Sequence, residues 1–305
     1  MNIINSICHP SRLLAGFWAR LGQKVSDPTY LKLRYRLIFG EKLHLDEPVG
    51  YNEKINWLKI YNRNPLYPKL VDKVEVKAIV APLIGEDKII KTLGVWNSFD
   101  DIDFEELPNQ FVLKSTNGGG GTGVVICKDK ASFNPVKAKE IIERSMHFNW
   151  RYEREWVYRD IKPRIIAEEL LVNEDGSDLV DWKIHCFNGE PKVLFCASDR
   201  YTPGKKLKFD WYDMNLKHLS VKSNGYENAN KVIEPFSEWE QMKEVAKKLS
   251  HGMPYVRADL YLVNHKVYFG ELTFFHDGGA VALEPKEWEY TFGSWIQLPE
   301  NKLTD

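Results

Sequence analysis

The sequence predicts a mixed α/β protein of the α+β class, with a helical N-terminal region followed by a larger region of strands and helices. Three observations predict this class. Helical spacing of apolar residues dominates roughly the first 83 positions. After them, short β-type runs alternate with helices and hairpins and do not form a regular βαβ series. The 305 residues are also enough for two compact lobes.

Apolar residues at helical spacing identify the helices. Leu31, Tyr35 and Ile38 recur in this way, with Arg and Lys residues between them. Ser237, followed by Glu240, has the pattern of a capping box and marks the start of the last predicted helix. The predicted helices cover residues 28–62, 72–83, 135–144 and 237–249.

Short runs of β-branched and aromatic residues identify the strands. Asn188-Gly189 is a favoured two-residue turn, and it joins two of these runs into a hairpin. The stretch from 198 to 230 is polar and is expected to be rich in loops. The predicted strands cover residues 88–93, 111–114, 124–127, 164–172, 182–187, 192–197, 256–263 and 267–274.

Composition and charge exclude several classes of protein. The formal net charge is −1, so no bulk field favours nucleic acid or an anionic membrane. No apolar run approaches the roughly 18 residues that a membrane span needs. The cysteines show no CxxC pairing and no metal-type spacing with His, which predicts reduced thiols in a cytoplasmic protein. They are Cys8, Cys127, Cys186 and Cys196.

Residues 1–24 contain an interrupted apolar stripe from Ile3 to Leu21, beside Arg12, Arg20 and Lys24. Two alternatives fit this pattern. The segment packs on the protein's own body, or it touches the inner membrane peripherally as an interfacial helix.

Aromatic residues in polar surroundings have two interpretations, a sugar-binding or base-binding cleft and an ordinary core. The tryptophans in question are Trp150, Trp156, Trp182 and Trp211. A basic stretch next to Trp211 is expected either to contact an acceptor substrate or to be a solvated loop; it contains Lys205, Lys206, Lys208 and Tyr212.

The strongest local pattern is a glycine loop between two predicted strands. Lys114 ends the first strand, and five glycines occur within the six positions from Gly118 to Gly123. Glycine lets consecutive backbone N–H groups approach anionic oxygens, so the loop is interpreted as a phosphate-binding flap with Lys114 as a point charge beside it. The pattern is neither a Walker loop nor a Rossmann fingerprint, because no GK[ST] and no following helix is present. A flexible surface hairpin is the alternative.

Two acidic residues on the last two strands form a candidate metal site. Arg257 and Asp259 share one strand face, as do Glu271 and Thr273. With a three-residue turn at 264–266, Asp259 falls opposite Glu271, and two carboxylates this close repel unless a cation lies between them. Hard oxygen ligands of this kind suit Mg²⁺ together with nucleotide phosphates. In the alternative, Arg257 merely neutralises both acids.

With these motifs the chain resembles the ATP-grasp superfamily and, within it, the TupA-like branch associated with teichuronopeptide and surface-polysaccharide gene clusters. The resemblance extends over about residues 27–298. Its most specific segments are 72–73, 111–123, 162–169, 181–189 and 257–274.

The resemblance implies an ATP-grasp fold, in which two α/β lobes clasp ATP and Mg²⁺. Lys73 is similar to the first phosphate-contacting lysine of these ligases, and Lys114 to the second, on the strand that enters the flap. Adenine and ribose are expected at the hinge, and phosphates at the flap. The residues implied are Glu168, Glu169, Leu170 and Leu171 at the hinge, Gly118, Gly119, Gly120 and Gly121 in the flap, and Lys183 among the nucleotide contacts.

Three further roles follow from the resemblance. Arg257 is implied to steady the acyl-phosphate and the tetrahedral intermediate, and Asp259 and Glu271 to bind Mg²⁺. The chain departs from the family at Thr273, where an Asn usually serves as the third metal ligand, so a second Mg²⁺ would be held more weakly. The flap is also richer in glycine than is usual for the branch.

The expected organisation is a helical region over 1–70 and a catalytic region over 71–305, with a flap-bearing lobe at about 88–165 and a metal-binding lobe at 166–298. The expected function is an ATP-dependent carboxylate–amine ligase that acts through an acyl-phosphate on a surface-polysaccharide precursor. Three alternatives remain: a sugar kinase on the same fold, a glycosyltransferase with a metal motif at Asp101-Ile102-Asp103, and a non-catalytic ATP-binding partner.

Overall fold

The computed structural model describes residues 25–118, 123–198 and 206–304. Within these ranges it contains seven α-helices, and local sequence explains their ends. The first helix has Pro28 in its first turn and stops at Gly40, whose φ of 73° is left-handed. The fifth follows Asn134, whose side chain accepts a hydrogen bond from the Lys137 backbone N–H. The helices are α1 (Asp27–Phe39), α2 (Tyr51–Tyr61), α3 (Tyr67–Val71), α4 (Glu75–Ile84), α5 (Pro135–Met146), α6 (Trp239–Ser250) and α7 (Glu287–Trp295).

Twelve strands are present in the same ranges, and the predicted mixed α/β class is confirmed. They are β1 (Thr92–Trp96), β2 (Phe111–Ser115), β3 (Val124–Cys127), β4 (Ile165–Glu169), β5 (Asp181–Phe187), β6 (Glu190–Ser198), β7 (Lys208–Asp213), β8 (His218–Leu219), β9 (Lys222–Ser223), β10 (Tyr255–Val263), β11 (Lys266–Thr273) and β12 (Leu283–Glu284). Short 3₁₀ turns occur at Glu86–Lys88, Phe99–Asp101, Lys130–Ser132, Trp150–Tyr152, Trp156–Tyr158 and His276–Gly279.

The smaller sheet has four antiparallel strands in the order β1-β4-β2-β3. One of its faces packs against α5 and forms a separate apolar core that includes Phe111, Leu113, Ile142 and Ala167. Lys114 lies between two buried neighbours on β2, so alternation turns it to the opposite face. The glycine loop joins β2 to β3, as the sequence predicts.

The larger sheet has six antiparallel strands in the order β11-β10-β5-β6-β7-β8. Ile184, Val256, Ala258 and Leu260 are fully buried on the face covered by α6 and its neighbours. The alternate residues Lys183, Arg257 and Asp259 therefore point to the other face. This alternation places all the predicted charged residues of β5 and β10 together.

The β10–β11 hairpin contains a β-bulge at Gly270. The turn has two residues, Asn264 and His265, both with positive φ, and not the three expected. A two-residue turn alone would place Asp259 opposite Gly270, but the register shifts after Leu260, so Asp259 pairs with Glu271 and Arg257 with Thr273. The predicted pairing is confirmed, although the predicted turn is wrong.

The bulge also determines which side chains reach the core. Val267 and Phe269 are buried before it, whereas Leu272 is buried after it, so the inward parity changes at Gly270. Strict alternation from Val267 would have turned Glu271 into the core. A Cβ on Gly270 would lie 2.8 Å from the Asp259 carbonyl oxygen, which explains the glycine.

Several sequence predictions need correction. The stretch 198–230 contains β7, β8 and β9, and its Trp211 and Tyr212 are core residues, so they do not belong to an acceptor-binding loop. Trp156 and Trp182 are also buried in the core. Helix α6 begins at Trp239 without a side-chain cap, so the Ser237 capping box is wrong. Lys205 and residues 1–24 lie outside the described residues.

Two basic side chains of the N-terminal helices bond to Glu153 and to the turn that follows β11. The fully buried Lys59 Nζ donates to the carbonyl oxygens of Glu153 and Gly278, at 2.8 and 2.7 Å. Arg34 donates to the same Gly278 carbonyl at 3.1 Å and to the Glu153 carboxylate at 3.2 Å. The turn that follows Thr273 is therefore fixed by helices from the start of the chain.

Candidate active site

Lys73 brings three distant segments together. It lies between α3 and α4, and the Asp72 carboxylate beside it accepts hydrogen bonds from two backbone N–H groups at the start of α4. The Lys73 Nζ donates to the Gly118 carbonyl of the glycine loop at 2.5 Å and lies 3.7 Å from Glu271 Oε2 on β11. The predicted phosphate lysine, the flap and a predicted metal ligand therefore meet at one point.

Asp259 is the centre of a buried charge cluster. Arg257 donates through Nε to Oδ1 at 2.6 Å and through Nη2 to Oδ2 at 2.7 Å. Lys183 donates to Oδ2 at 2.5 Å and also pairs with Asp181. Burial alone would raise the pKa of Asp259, but the Arg257 and Lys183 charges more than offset it, so the pKa is lowered. Asp259 is thus a carboxylate held ionised at this position.

Glu271 is less constrained than Asp259. Among the described residues its carboxylate makes two long ion pairs, 3.7 Å to Lys73 and 3.8 Å to the Arg257 Nη2, and its side chain is 35% exposed. Thr273 lies opposite Arg257 on the same strand face and is half-buried. Glu271 therefore has acceptor capacity available to a ligand from the cleft.

The donor set fits a hard divalent cation. Asp259 Oδ1 accepts one hydrogen bond and keeps a second lone pair, and Glu271 lies directly opposite it. In the described ranges no group of three or more His, Cys, Asp or Glu side chains could hold a metal ion. Two carboxylates completed by phosphate and water oxygens are the arrangement that Mg²⁺ favours.

Lys114 and the predicted hinge meet at Glu168. The Lys114 Nζ donates to Glu168 Oε2 at 2.6 Å, and Lys77 of α4 pairs with Oε1 of the same carboxylate. Burial would raise the pKa of Glu168, yet the two lysines outweigh it, so the pKa is lowered. Glu169 is exposed, Leu170 and Leu171 are half-buried, and Gly119, Gly120 and Gly121 lie outside the described residues.

Sequence reasoning missed Lys77 and Asp181. Lys77 follows Lys73 by four residues, a spacing that on the predicted helix 72–83 would place both on one face and could have indicated it. Asp181 precedes Lys183 by two residues on β5 and so shares its face. Asp101 and Asp103 flank the buried Ile102 and lie on the exposed surface, where Asp103 accepts from the Glu105 backbone N–H.

A buried chain of polar side chains lies behind Arg257. The His276 Nδ1 is 3.3 Å from the Tyr51 hydroxyl, which donates to the Tyr255 hydroxyl at 2.7 Å. The Tyr255 hydroxyl in turn lies 2.8 Å from His185 Nδ1. Burial lowers the pKa of His276 to about 4 and that of His185 well below its usual value. Both histidines are therefore neutral core residues, not exposed ligands of the cleft.

The lowered pKa values of these two histidines predict that the protein loses stability in acid. A histidine whose pKa is lower in the folded protein contributes its full stabilisation above its pKa in the unfolded chain, 6.5. That stabilisation is lost as the pH falls towards the folded-state pKa of about 4. We expect His276 alone to lower the free energy of unfolding, measured in urea, by about 2 kcal/mol between pH 7 and pH 5. His276→Asn should flatten this dependence, whereas His251→Asn, at an exposed position, should not. Equal pH slopes in all three proteins would contradict the prediction.

A family profile described as TupA-like ATPgrasp matches residues 53–297. The chain belongs to the TupA-like ATP-grasp family. This assignment confirms the resemblance found in the sequence. No curated protein matches the chain.

Solved structures similar to this TupA-like ATP-grasp chain include two D-alanine–D-alanine ligases and a biotin carboxylase. The ligase from Bacillus anthracis is 15% identical, with 68% of this chain and 57% of that one covered and a TM-score of 0.40. The Helicobacter pylori ligase is 15% identical, with 81% and 69% covered and a TM-score of 0.41. The Campylobacter jejuni biotin carboxylase is 13% identical, with 84% and 51% covered and a TM-score of 0.42. The chain spans 57% of the length of the first of these structures.

None of the described helices is both long and apolar enough to cross a membrane. The described cysteines Cys127, Cys186 and Cys196 are buried free thiols, and Cys8 lies outside the described residues.

Proposed function

We propose that this chain is an ATP-dependent carboxylate–amine ligase that acts through an acyl-phosphate. The observation that supports it most directly is the position of Lys73, whose Nζ contacts both the flap carbonyl of Gly118 and the carboxylate of Glu271. A phosphate placed there would have the flap on one side and the acidic strand on the other. Lys114, Lys183 and Arg257 supply further positive charge along the same cleft.

The reaction has two steps. A carboxylate oxygen of the substrate attacks the γ-phosphorus of ATP, and the bond to the β–γ bridging oxygen breaks, which releases ADP. The amine nitrogen then attacks the acyl carbon, and inorganic phosphate and a proton leave as the amide forms. Lys73 and Lys114 would neutralise the transferring phosphoryl group, and Arg257 would stabilise the tetrahedral oxyanion. The glycine flap would exclude water, which otherwise hydrolyses the acyl-phosphate.

Mg²⁺, when bound, supplies Lewis-acid charge neutralisation to the phosphates. Asp259 and Glu271 would hold it, and Thr273, with a neutral hydroxyl, would contribute only weakly. The roles of these residues are part of the proposal, as are the region boundaries at residues 70, 88 and 166.

The proposed substrates are a carboxylate on a surface-polysaccharide precursor, such as a uronic acid, and an amino acid or other amine. This part of the proposal rests on the TupA-like character of the chain. With Trp211 and Tyr212 buried, the aromatic part of the expected acceptor loop no longer supports it. We propose that the reaction takes place in the cytoplasm, and a peripheral membrane contact through residues 1–24 is part of the same proposal.

Thermal unfolding with and without Mg·ATP tests the nucleotide site. At a ligand concentration about a hundredfold above Kd, binding adds about 2.7 kcal/mol and should raise Tm by roughly 3–5 °C. Glu271→Gln should remove the magnesium-dependent part of this shift, whereas Glu244→Gln, an exposed glutamate of α6, should retain it. A shift that survives Glu271→Gln would contradict the metal assignment, and no shift in the native protein would contradict the ATP site.

Release of ADP as a function of added amine separates the ligase from a sugar kinase. A ligase requires the amine for sustained turnover, and a kinase releases ADP with the sugar alone. A screen of uronic acids with amino acids therefore tests the reaction class directly, using the native protein.

A further inference from the structure

Lys77, near the cleft, uses all of its N–H donors in contacts within the protein. Its Nζ donates to the Ile90 carbonyl at 2.8 Å and to the Thr92 hydroxyl at 2.8 Å, and it pairs with Glu168 Oε1. An ammonium group has three N–H donors, so these partners satisfy all of them. Lys77 therefore has no donor left for a ligand, in contrast to the lysines predicted to bind phosphate.

Lys114 is in the opposite situation. Among the described residues its Nζ has one hydrogen-bond partner, Glu168 Oε2 at 2.6 Å. Its side chain is 18% exposed, whereas the Glu168 side chain between the two lysines is only 6% exposed. The group of Lys77, Glu168 and Lys114 has a net charge of +1, and Lys114 is the member with free donors.

We propose that Lys77 is a positioning residue that orients Lys114 for nucleotide binding by holding the Glu168 carboxylate of β4 against α4. Lys77 pairs with Oε1 of Glu168 and competes for that oxygen, and Lys114 contacts Oε2. Lys114 consequently pairs with a single oxygen and keeps its remaining donors for the nucleotide. This inference rests on the proposed ATP site and assigns to it a residue that makes no ligand contact of its own.

The arrangement also connects the two phosphate lysines. Lys73 stands two residues before the start of α4, and Lys77 lies in the first turn of that helix. The path from Lys73 to Lys114 therefore passes through one helical turn and one carboxylate. Without Lys77, the buried Glu168 would have Lys114 as its remaining cation, and Lys114 would be drawn towards both oxygens and away from the ligand.

Isothermal titration of the full chain with Mg·ATP tests the proposal. We expect Lys77→Met to weaken Mg·ATP binding about tenfold, and Lys77→Arg, which keeps the charge and several donors, to stay within about threefold of the native protein. Lys91→Met is the matched control, because Lys91 is exposed, lies next to the same strand and should bind like the native protein. If Lys77→Met fails to fold, Lys77→Gln provides the second uncharged variant.

Turnover gives a second readout that a purely structural role would not produce. Saturating ATP should draw Lys114 back to the nucleotide, so Lys77→Met should raise KM for ATP about tenfold and lower kcat less than threefold. Native-like binding by Lys77→Met, or equal weakening by Lys77→Arg, would overturn the proposal. Failure of the native protein to bind Mg·ATP would instead overturn the proposed function, so the two failures are distinguishable.

Discussion

Replacing Asp259 with asparagine is expected to lower the free energy of unfolding by about 3 kcal/mol and to lower ATP turnover by at least about a hundredfold. The stability loss follows from burial, because the Asp259 side chain is 3% exposed and the partnered Arg257 and Lys183 are 10% and 9% exposed. Both cations would lose their main counter-charge inside the protein. The loss should lie at the lower end of the range for buried pairs, because Lys183 keeps Asp181 and Arg257 keeps a long contact to Glu271.

Glu271→Gln is the matched comparison. The ion pairs of Glu271 are long and its side chain is about a third exposed, so this replacement should lower the free energy of unfolding by less than about 1 kcal/mol. Urea unfolding at pH 7 measures the stability of both variants, and amine-dependent ADP release measures turnover. We expect equally large losses of turnover but a clear difference in stability. Equal stability losses would show that the Asp259 cluster is not the electrostatic centre described above.

Gly270→Ala is expected to lower turnover about a hundredfold while the protein remains folded. The added Cβ would lie 2.8 Å from the Asp259 carbonyl oxygen, which is backbone and cannot rotate away. The bulge must then open or the hairpin must shift, and Glu271 moves relative to Asp259. A displacement of about 1 Å at a catalytic group can cost a hundredfold in rate.

Gly252→Ala controls for the general cost of adding a methyl group to a glycine. Gly252 has a φ of 73° with no atom within 4 Å of the added Cβ, and it follows α6. Its replacement should cost about 1 kcal/mol of stability through backbone strain alone and leave turnover unchanged. Comparable turnover in Gly270→Ala and Gly252→Ala would mean that the bulge does not determine the position of Glu271.

The charged face of β10 and β11 was predictable from sequence because strand alternation is local. Arg257 and Asp259 share a face by spacing alone, and the alternate residues Ala258 and Leu260 are fully buried, as expected. The pairing of Asp259 with Glu271 was also predicted, but from a turn that is one residue too long. A three-residue turn and a two-residue turn with a bulge produce the same register beyond Gly270, so sequence spacing alone does not distinguish them.

The partners of the charged residues were not predictable, because they depend on long-range contacts. Lys77 pairs with Glu168, 91 positions away, and Lys183 pairs with Asp259, 76 positions away. The strands inside 198–230 were missed for a related reason. Trp211 and Tyr212 sit in a polar stretch whose burial arises only when β7 pairs with β6. Local composition contains no information about that pairing.

The contacts of Arg34 and Lys59 restrict how this fold can be recombined. Both basic side chains end on the Gly278 carbonyl, in a turn where Asp277 and Gly278 have left-handed φ values. A chimaera that joins the larger sheet to an unrelated N-terminal segment would leave that carbonyl without these donors. The N-terminal helices and the larger sheet therefore depend on each other, and an exchange of sequence between relatives should preserve both or replace both.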